Sequence, residues 1–274
     1  MIPWYDRKSY KEKIQRCFND NNKLSFICVD DNEEIWHIAE WIRESMQKKK
    51  TTVAEAVHSS KADTLMCELL DQVIYDLDSR YKFQNYKSMV EELFNSKDAT
   101  LTINQNIGNN TSAGNKMDYN GVNQTVITDE LYKKNSLAFK KERVIELLID
   151  KFIIDIEEVI KKEKSLFLLF IFSEGGLGVF ESKRQNRFLH CLCKRMRYID
   201  GIEVCVLNET NYKGFIQLGK NPIVIPARLE NSDMLQAAKE HLKGSDPFLF
   251  CRDAITDNKE ITYFDFARRL SAAI

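Results

Sequence analysis

Two rhythms of apolar and polar positions take turns along this chain. Leu24-Ser-Phe-Ile-Cys-Val29 is a short apolar run with β-branched and aromatic members, the pattern of a buried strand. Polar Asp30–Glu34 follows, and then Ile35, Trp36, Ile38, Ala39 and Ile42 recur at three- and four-residue spacing. That spacing predicts a helix whose start Asp30, Asp31 or Asn32 can cap. Thr51–Val57 reads as a second strand and Tyr86–Phe94 as a short helix. Between them, Ala62–Tyr81 carries Leu65, Met66, Leu69, Leu70, Val73, Ile74 and Leu77 on one helical stripe. The clearest helical rhythm is Glu142–Ile160, which ends in Lys161-Lys-Glu-Lys, where cations suit a helix C-terminus.

Ser165-Leu-Phe-Leu-Leu-Phe-Ile-Phe172 has no polar alternation at all. A central parallel strand covered on both faces reads this way, so Phe170 and Ile171 are expected to be buried on opposite faces. Further strands are predicted at Gly201–Leu207 and Asn221–Ile225, and further helices at Arg184–Tyr198, Met234–Leu242 and Tyr263–Ala273. Strands alternating with helices mean an α/β chain, a three-layer parallel sheet closed by C-terminal helices.

Residues 98–128 break both rhythms. Leu101–Thr128 is rich in Asn, Gly and Thr, with turn signals between weakly alternating apolar positions. This is expected to be a β-hairpin-like insertion within a single domain spanning residues 1–274. The low charge of Leu101–Asn115 removes the usual protection of a strand edge. Ile103, Asn104, Asn106, Asn109 and Asn123 are therefore a candidate surface for pairing with another copy or a partner.

Composition narrows the function classes. Forty Lys+Arg against forty-one Asp+Glu leave a net charge of −1, which argues against a chain-wide basic surface. Ten Gly and four Pro in 274 residues exclude collagen-like, linker-like and broadly disordered chains. The longest apolar run, Leu166–Phe172, is strand-sized, well short of the roughly 20 residues that span a bilayer. The first residues show no signal-peptide core, and the seven Cys are odd in number with Cys28 and Cys205 inside apolar runs. A cytoplasmic protein with no membrane segment and no disulfide framework is expected.

The candidate chemistry is incomplete. A phosphate-binding loop after the first strand needs glycines for backbone N–H donors and a Lys for charge. The segment in that place, Val29-Asp-Asp-Asn-Glu-Glu34, has no Gly, no Lys and four carboxylates. The preferred reading is a capped helix with no nucleotide site. If nucleotide does bind, Asp31, Asn32, Glu33, Ser173, Glu174 and Asn208 are the residues placed to meet it. The strand end Phe172-Ser-Glu174 offers Ser where a metal-holding acid would stand, so that site is half equipped. Gly175-Gly-Leu-Gly178 lacks the Gly-x-Gly-x-x-Gly spacing and reads as a turn. His190-Cys191-Leu192-Cys193 has no second Cys/His cluster to complete a metal site, so no metal and no cofactor are expected. Arg184, Arg187, Lys194 and Arg195 give one helix a basic face. A solvated face is preferred there to a contact with an acidic partner or with nucleic acid, which stays the alternative.

The order of parts resembles the STAND class of P-loop NTPases, specifically the inactive-STAND modules of prokaryotic conflict systems. The residues that carry it are Phe139 with Phe152-Ile-Ile-Asp-Ile156, Leu168-Leu-Phe-Ile-Phe-Ser-Glu174, Val204-Cys-Val-Leu-Asn208 and Ile223-Val-Ile-Pro-Ala-Arg-Leu229. The resemblance covers about Lys23 to Leu242 and implies a P-loop NTPase-like fold without hydrolysis. It implies a sensor, adaptor or scaffold in bacterial defence or signalling, working with an effector or sensor protein encoded nearby. The departures are the missing phosphate loop and Ser173. The rival from the enzyme class is an NTPase with a non-standard loop.

The insertion yields a direct test. Deleting Ile103–Thr125 should leave the α/β domain folded and abolish assembly, because a lone hairpin adds little stability of its own. Light scattering and pull-down check this. An unchanged oligomeric state and unchanged partner capture would reduce the insertion to a loop.

Overall fold

The computed structural model describes residues 7–19, 23–31, 33–59, 68–78, 80–95, 142–173, 183–209, 221–257 and 261–274. Its strands are β1 (Leu24–Val29), β2 (Thr52–Ser59), β3 (Leu166–Ser173), β4 (Ile202–Glu209) and β5 (Ile223–Ile225). All pair in parallel, in the order β2-β3-β4-β1-β5. The described helices are α1 (Lys8–Asn19), α2 (Glu34–Lys48), α3 (Glu68–Asp78), α4 (Gln84–Asn95) and α5 (Glu142–Glu163). They continue with α6 (Lys183–Met196), α7 (Asn231–His241), α8 (Pro247–Asp257) and α9 (Tyr263–Ala273).

The strand alternation of side chains separates two cores. Leu166, Leu168, Phe170 and Phe172 pack with α3, α4, α5 and α6 on one face. Phe167, Leu169 and Ile171 pack with α1, α2, α7, α8 and α9 on the other. Phe170 and Ile171 are thus buried on opposite faces, as the unbroken apolar run requires. The expected three-layer parallel α/β architecture is what the chain adopts.

Local chemistry fixes the helices around this sheet. Asp155 of α5 accepts from the backbone N–H groups of Asn85 (3.3 Å) and Tyr86 (2.8 Å), and so caps α4 from a neighbouring helix. Arg195 of α6 pairs with Asp150 of α5. Gly201, at φ +80°, precedes β4, and a Cβ there would lie 2.8 Å from both Ile160 Cγ2 and the Lys164 carbonyl oxygen. Only glycine fits that approach.

Some boundaries differ from the sequence pattern. The stripe predicted over Ala62–Tyr81 is helical over Glu68–Asp78, and Tyr81 lies past the helix end with its hydroxyl donating to Glu163. Residues 60–67 lie outside the described residues, as do the insertion 98–128 and Gly175–Gly178. Two helices, α1 and α8, were not among the expected elements, although Tyr10, Ile14 and Phe18 of α1 recur at helical spacing. In α1 the buried positions are only Ile14 and Phe18, and in α8 Phe248 and Leu249 are exposed. The six described cysteines form no disulfide, and Cys28, Cys193, Cys205 and Cys251 are buried. Among the described residues no helix is long and apolar enough to cross a membrane.

The β2 edge is closed by side chains. Gln72 of α3 accepts from the Val57 N–H at 2.7 Å and donates to the Val57 carbonyl at 3.0 Å. Asp76 accepts from the Glu55 N–H at 2.9 Å. These are the outward-facing peptide groups that an unprotected edge would offer to another strand. Gln72→Ala should orphan both groups of Val57 and cost about 1–3 kcal/mol. Urea unfolding checks the value, and a loss under about 0.5 kcal/mol, the scale of an ordinary surface substitution, would mean that water replaces Gln72 at no cost.

Candidate functional site

In a parallel sheet flanked by helices, ligands bind in the crevice at the C-terminal ends of the strands, where successive connections diverge to opposite faces. Here β1 leads into α2 on one face, while β3 leads into α6 on the other. The crevice rim therefore holds Val29–Asp31 after β1, Ser173 at the end of β3, Asn208 and Glu209 at the end of β4, and Pro226–Arg228 after β5.

The N-terminus of α2 is the element that would cradle phosphate, because its first N–H groups lack intrahelical acceptors. In this chain each of them already has one. Asp31 Oδ1 accepts from the N–H of Glu33 and of Glu34, both at 2.9 Å. The Asp31 carbonyl accepts from Ile35 at 3.3 Å, and the Glu33 carbonyl from Trp36 at 3.2 Å. Of the caps the sequence allowed, Asp31 is engaged, while Asn32 lies outside the described residues. Its carboxylate occupies the positive end of the helix dipole, where a phosphate would otherwise sit.

Glu34, the first residue of α2, is fully buried. Arg7 Nη2 donates to Glu34 Oε2 at 3.0 Å, and both side chains are 0% exposed. The same guanidinium donates to the Pro226 carbonyl at 2.8 Å and the Arg228 carbonyl at 3.3 Å. Its carbon lies 5.6 Å from the Tyr10 ring centre and 5.8 Å from that of Tyr263. Arg7 thus joins the start of α1, the start of α2, the chain leaving β5 and the start of α9. Its Nε has no acceptor. Counting Glu34 among the charges that repel a phosphate, as the linear sequence suggested, misplaces it. Its charge is matched internally by a residue 27 positions earlier.

The other candidates are spread out. Ser173 and Asn208 are buried at 2% and 0% exposure. Alternation sends Ser173 toward the face of Ile171, whereas Asn208 lies opposite Phe172 and shares the face of Val204 and Val206. They do not converge. Asn208 Nδ2 donates to the Glu209 carbonyl at 3.0 Å. Glu33 is exposed beside Asp31, and Asn32 and Glu174 lie outside the described residues, as do Ile103, Asn104, Asn106, Asn109 and Asn123.

On α6, Lys194 is exposed, while Arg195 is half-buried in its pair with Asp150 and so belongs to the α5–α6 contact. Arg184 and Arg187 lie on the same helix. His190 is exposed, whereas Cys193 is fully buried and its thiol is pushed up to about 12 by burial. That thiol is protonated and inert, as a nucleophile or ligand cannot be. Among the described residues no group of three or more His, Cys, Asp and Glu converges as a metal site would. His58, at the end of β2, was not singled out by the sequence pattern. It is 2% exposed with Nδ1 unpaired, and burial lowers its pKa, which keeps it neutral against the edge of Phe172.

Among solved structures, this chain is similar to the ORC2 protein of Aeropyrum pernix in its ADPNP–ADP complexes. The TM-score is 0.52 at 10% identity, over 99% of this chain and 62% of that one. The ADP form of the same protein gives 0.50 at 9% identity, over 99% and 63%. The fold is P-loop NTPase-like. The chain spans less than two thirds of the length of that protein. No family model matches it, and no curated protein does.

The donors at the α2 N-terminus are therefore met by acceptors of the chain itself, and the neighbouring Arg7–Glu34 pair is the part most open to measurement. Arg7→Met removes the cation that faces the buried Glu34 carboxylate and should cost about 3–5 kcal/mol. Arg7→Met/Glu34→Leu should recover a large part of that loss. A double-mutant cycle in denaturant checks it, and additive losses would show that the two side chains act independently.

Proposed function

We propose that this chain is a non-catalytic P-loop NTPase-like module, a sensor, adaptor or scaffold of STAND type in bacterial defence or signalling. The observation that supports it is the α2 N-terminus, where Asp31 and the local carbonyls accept from all four N–H groups of residues 33–36. A triphosphate would have to displace a carboxylate that is held by two hydrogen bonds and favoured by the helix dipole. It would do so beside exposed Asp30 and Glu33, with no Lys in the loop to balance the charge. Ser173 supplies no negative charge to hold a metal ion at the end of β3.

With the α2 N-terminus satisfied, function passes to surfaces. A protein encoded nearby supplies the effector or the trigger, and the Asn-rich insertion is the proposed contact for a partner or a second copy. The defence role rests on the order of sequence elements from Lys23 to Leu242.

Thermal unfolding with ATP and Mg²⁺ tests this reading. A ligand at 100 times its dissociation constant stabilises by about 2.7 kcal/mol, a shift of several degrees for a chain of this size. No shift is expected at millimolar ATP, ADP or GTP. A concentration-dependent rise would instead support the rival NTPase with a non-standard loop.

A further inference from the structure

Helix α6 carries a charge arrangement that neither its own stability nor the satisfied α2 N-terminus accounts for. Residues 183–199 contain Lys183, Arg184, Arg187, Lys194, Arg195 and Arg197, and no Asp or Glu. The whole chain is nearly neutral, so this is strong local segregation. The first turn has no acidic residue, although the helix dipole favours acids there and disfavours cations. Positions 183, 187, 190, 194 and 197 follow one another at spacings of four, three, four and three. They form a single row along the helix, about 21 Å long at ~1.5 Å per residue. Like charges at these spacings repel.

The described end of the row is open. His190, Lys194 and Arg197 are exposed. Lys194 and Arg197 have no carboxylate partner among the described residues, in contrast to Arg195, which has Asp150. The Arg197 N–H still donates to the Cys193 carbonyl at 3.1 Å, so Arg197 continues the helical row. Beside it Tyr198 is 75% exposed, with the Arg197 guanidinium 6.0 Å from its ring centre. Buried Phe188, Leu189, Leu192, Cys193 and Met196 hold the opposite side of the helix in the core, so His190, Lys194 and Arg197 face outward from a rigid element.

We infer that this row is a docking surface for single-stranded nucleic acid, with phosphates along the cations and a base stacked on Tyr198. The charge complementarity is that of a polyanion, whose phosphates the cations of this helix suit. An exposed aromatic ring at the end of a cationic track is what strand binding without sequence preference uses. An acidic protein would need no such ring. Such binding lies beyond the module's proposed role and does not depend on whether nucleotide enters the crevice. If both hold, nucleic acid is the input that the module senses.

Fluorescence anisotropy with a labelled 20-nucleotide single strand, and with its duplex, tests it on the full chain. Binding should weaken with salt, with a log–log slope of about −0.7 per phosphate engaged. Lys194→Glu/Arg197→Glu should weaken binding at least about tenfold and make the slope shallower by about 1.4, the share of two phosphates. Tyr198→Ala should weaken the single strand about fivefold or more and the duplex far less. Lys8→Glu/Lys13→Glu, the same charge change on α1 across the sheet, should leave binding near the parent value. Melting curves confirm folding, and Lys194→Gln/Arg197→Gln repeats the test without reversing charge. Absence of single-strand binding at low salt overturns the proposal. So does binding that survives both row variants, an equal effect of the α1 variant, or equal competition by poly-glutamate, which would mark an acidic protein as the occupant.

Discussion

A parallel strand with no polar side must be covered on both faces, and β3 is such a strand: all eight of its residues are buried. The rest of the molecule follows from meeting that requirement. One layer, α3 to α6, seals the face of Leu168 and Phe170, and a second, built from α1, α2 and α7 to α9, seals the face of Leu169 and Ile171. Because parallel neighbours need crossover connections, the helices alternate with strands, and the loops gather at the two ends of the sheet. The crevice at the C-terminal end is a by-product of the same geometry, present whether or not a ligand fills it.

How the α2 N-terminus is satisfied is a matter of competing acceptors. A helix N-terminus presents donors that must be satisfied, and an internal carboxylate satisfies them permanently, whereas a phosphate does so only when bound. Asp31 takes that place. Behind it, the Arg7–Glu34 pair replaces solvent and ligand with a guanidinium held by one carboxylate, two carbonyls and two aromatic rings. Such a pair carries a desolvation cost that its Coulomb attraction offsets only when the remaining donors are also satisfied. With Nε left over, its contribution is to fix geometry between distant segments more than to add stability. That geometry joins the first helix to the last one, around the mouth of the crevice.

The surfaces follow the same rule of satisfied groups. The β2 edge is closed by Gln72 and Asp76 at Glu55 and Val57, the peptide groups through which another strand would pair. Arg195 is tied to Asp150, while Lys194 and Arg197 on the same row of turns are not tied to any carboxylate among the described residues. The chain meets its own donors at the α2 N-terminus and at one sheet edge, yet leaves Lys194 and Arg197 exposed on α6 and in the turn that follows it.

The layers were readable from local pattern alone. Periodicity is a local property, and the apolar run Leu166–Phe172 of β3, the stripe of α5 and the alternation of strands with helices each report burial directly. The sequence also exposed the missing phosphate loop, because the absence of Gly and Lys between Val29 and Ile35 is visible in one dimension. Helix α8 was not legible, since Phe248, Leu249 and Ile255 are exposed and blur its periodicity, whereas the short stripe Tyr10, Ile14 and Phe18 of α1 was there to be read. The fate of the four carboxylates was decided only in three dimensions. In the linear chain Asp30, Asp31, Glu33 and Glu34 look alike; in the fold one caps a helix, one is buried against Arg7, and two face water. Likewise, adjacent cations of α6 differ only by what faces them: Lys194 meets solvent and Arg195 meets Asp150, 45 residues away. Pairing across such separations depends on how helices pack against the sheet. No local pattern encodes it, because a charge costs or gains free energy according to the groups that the whole fold brings to it.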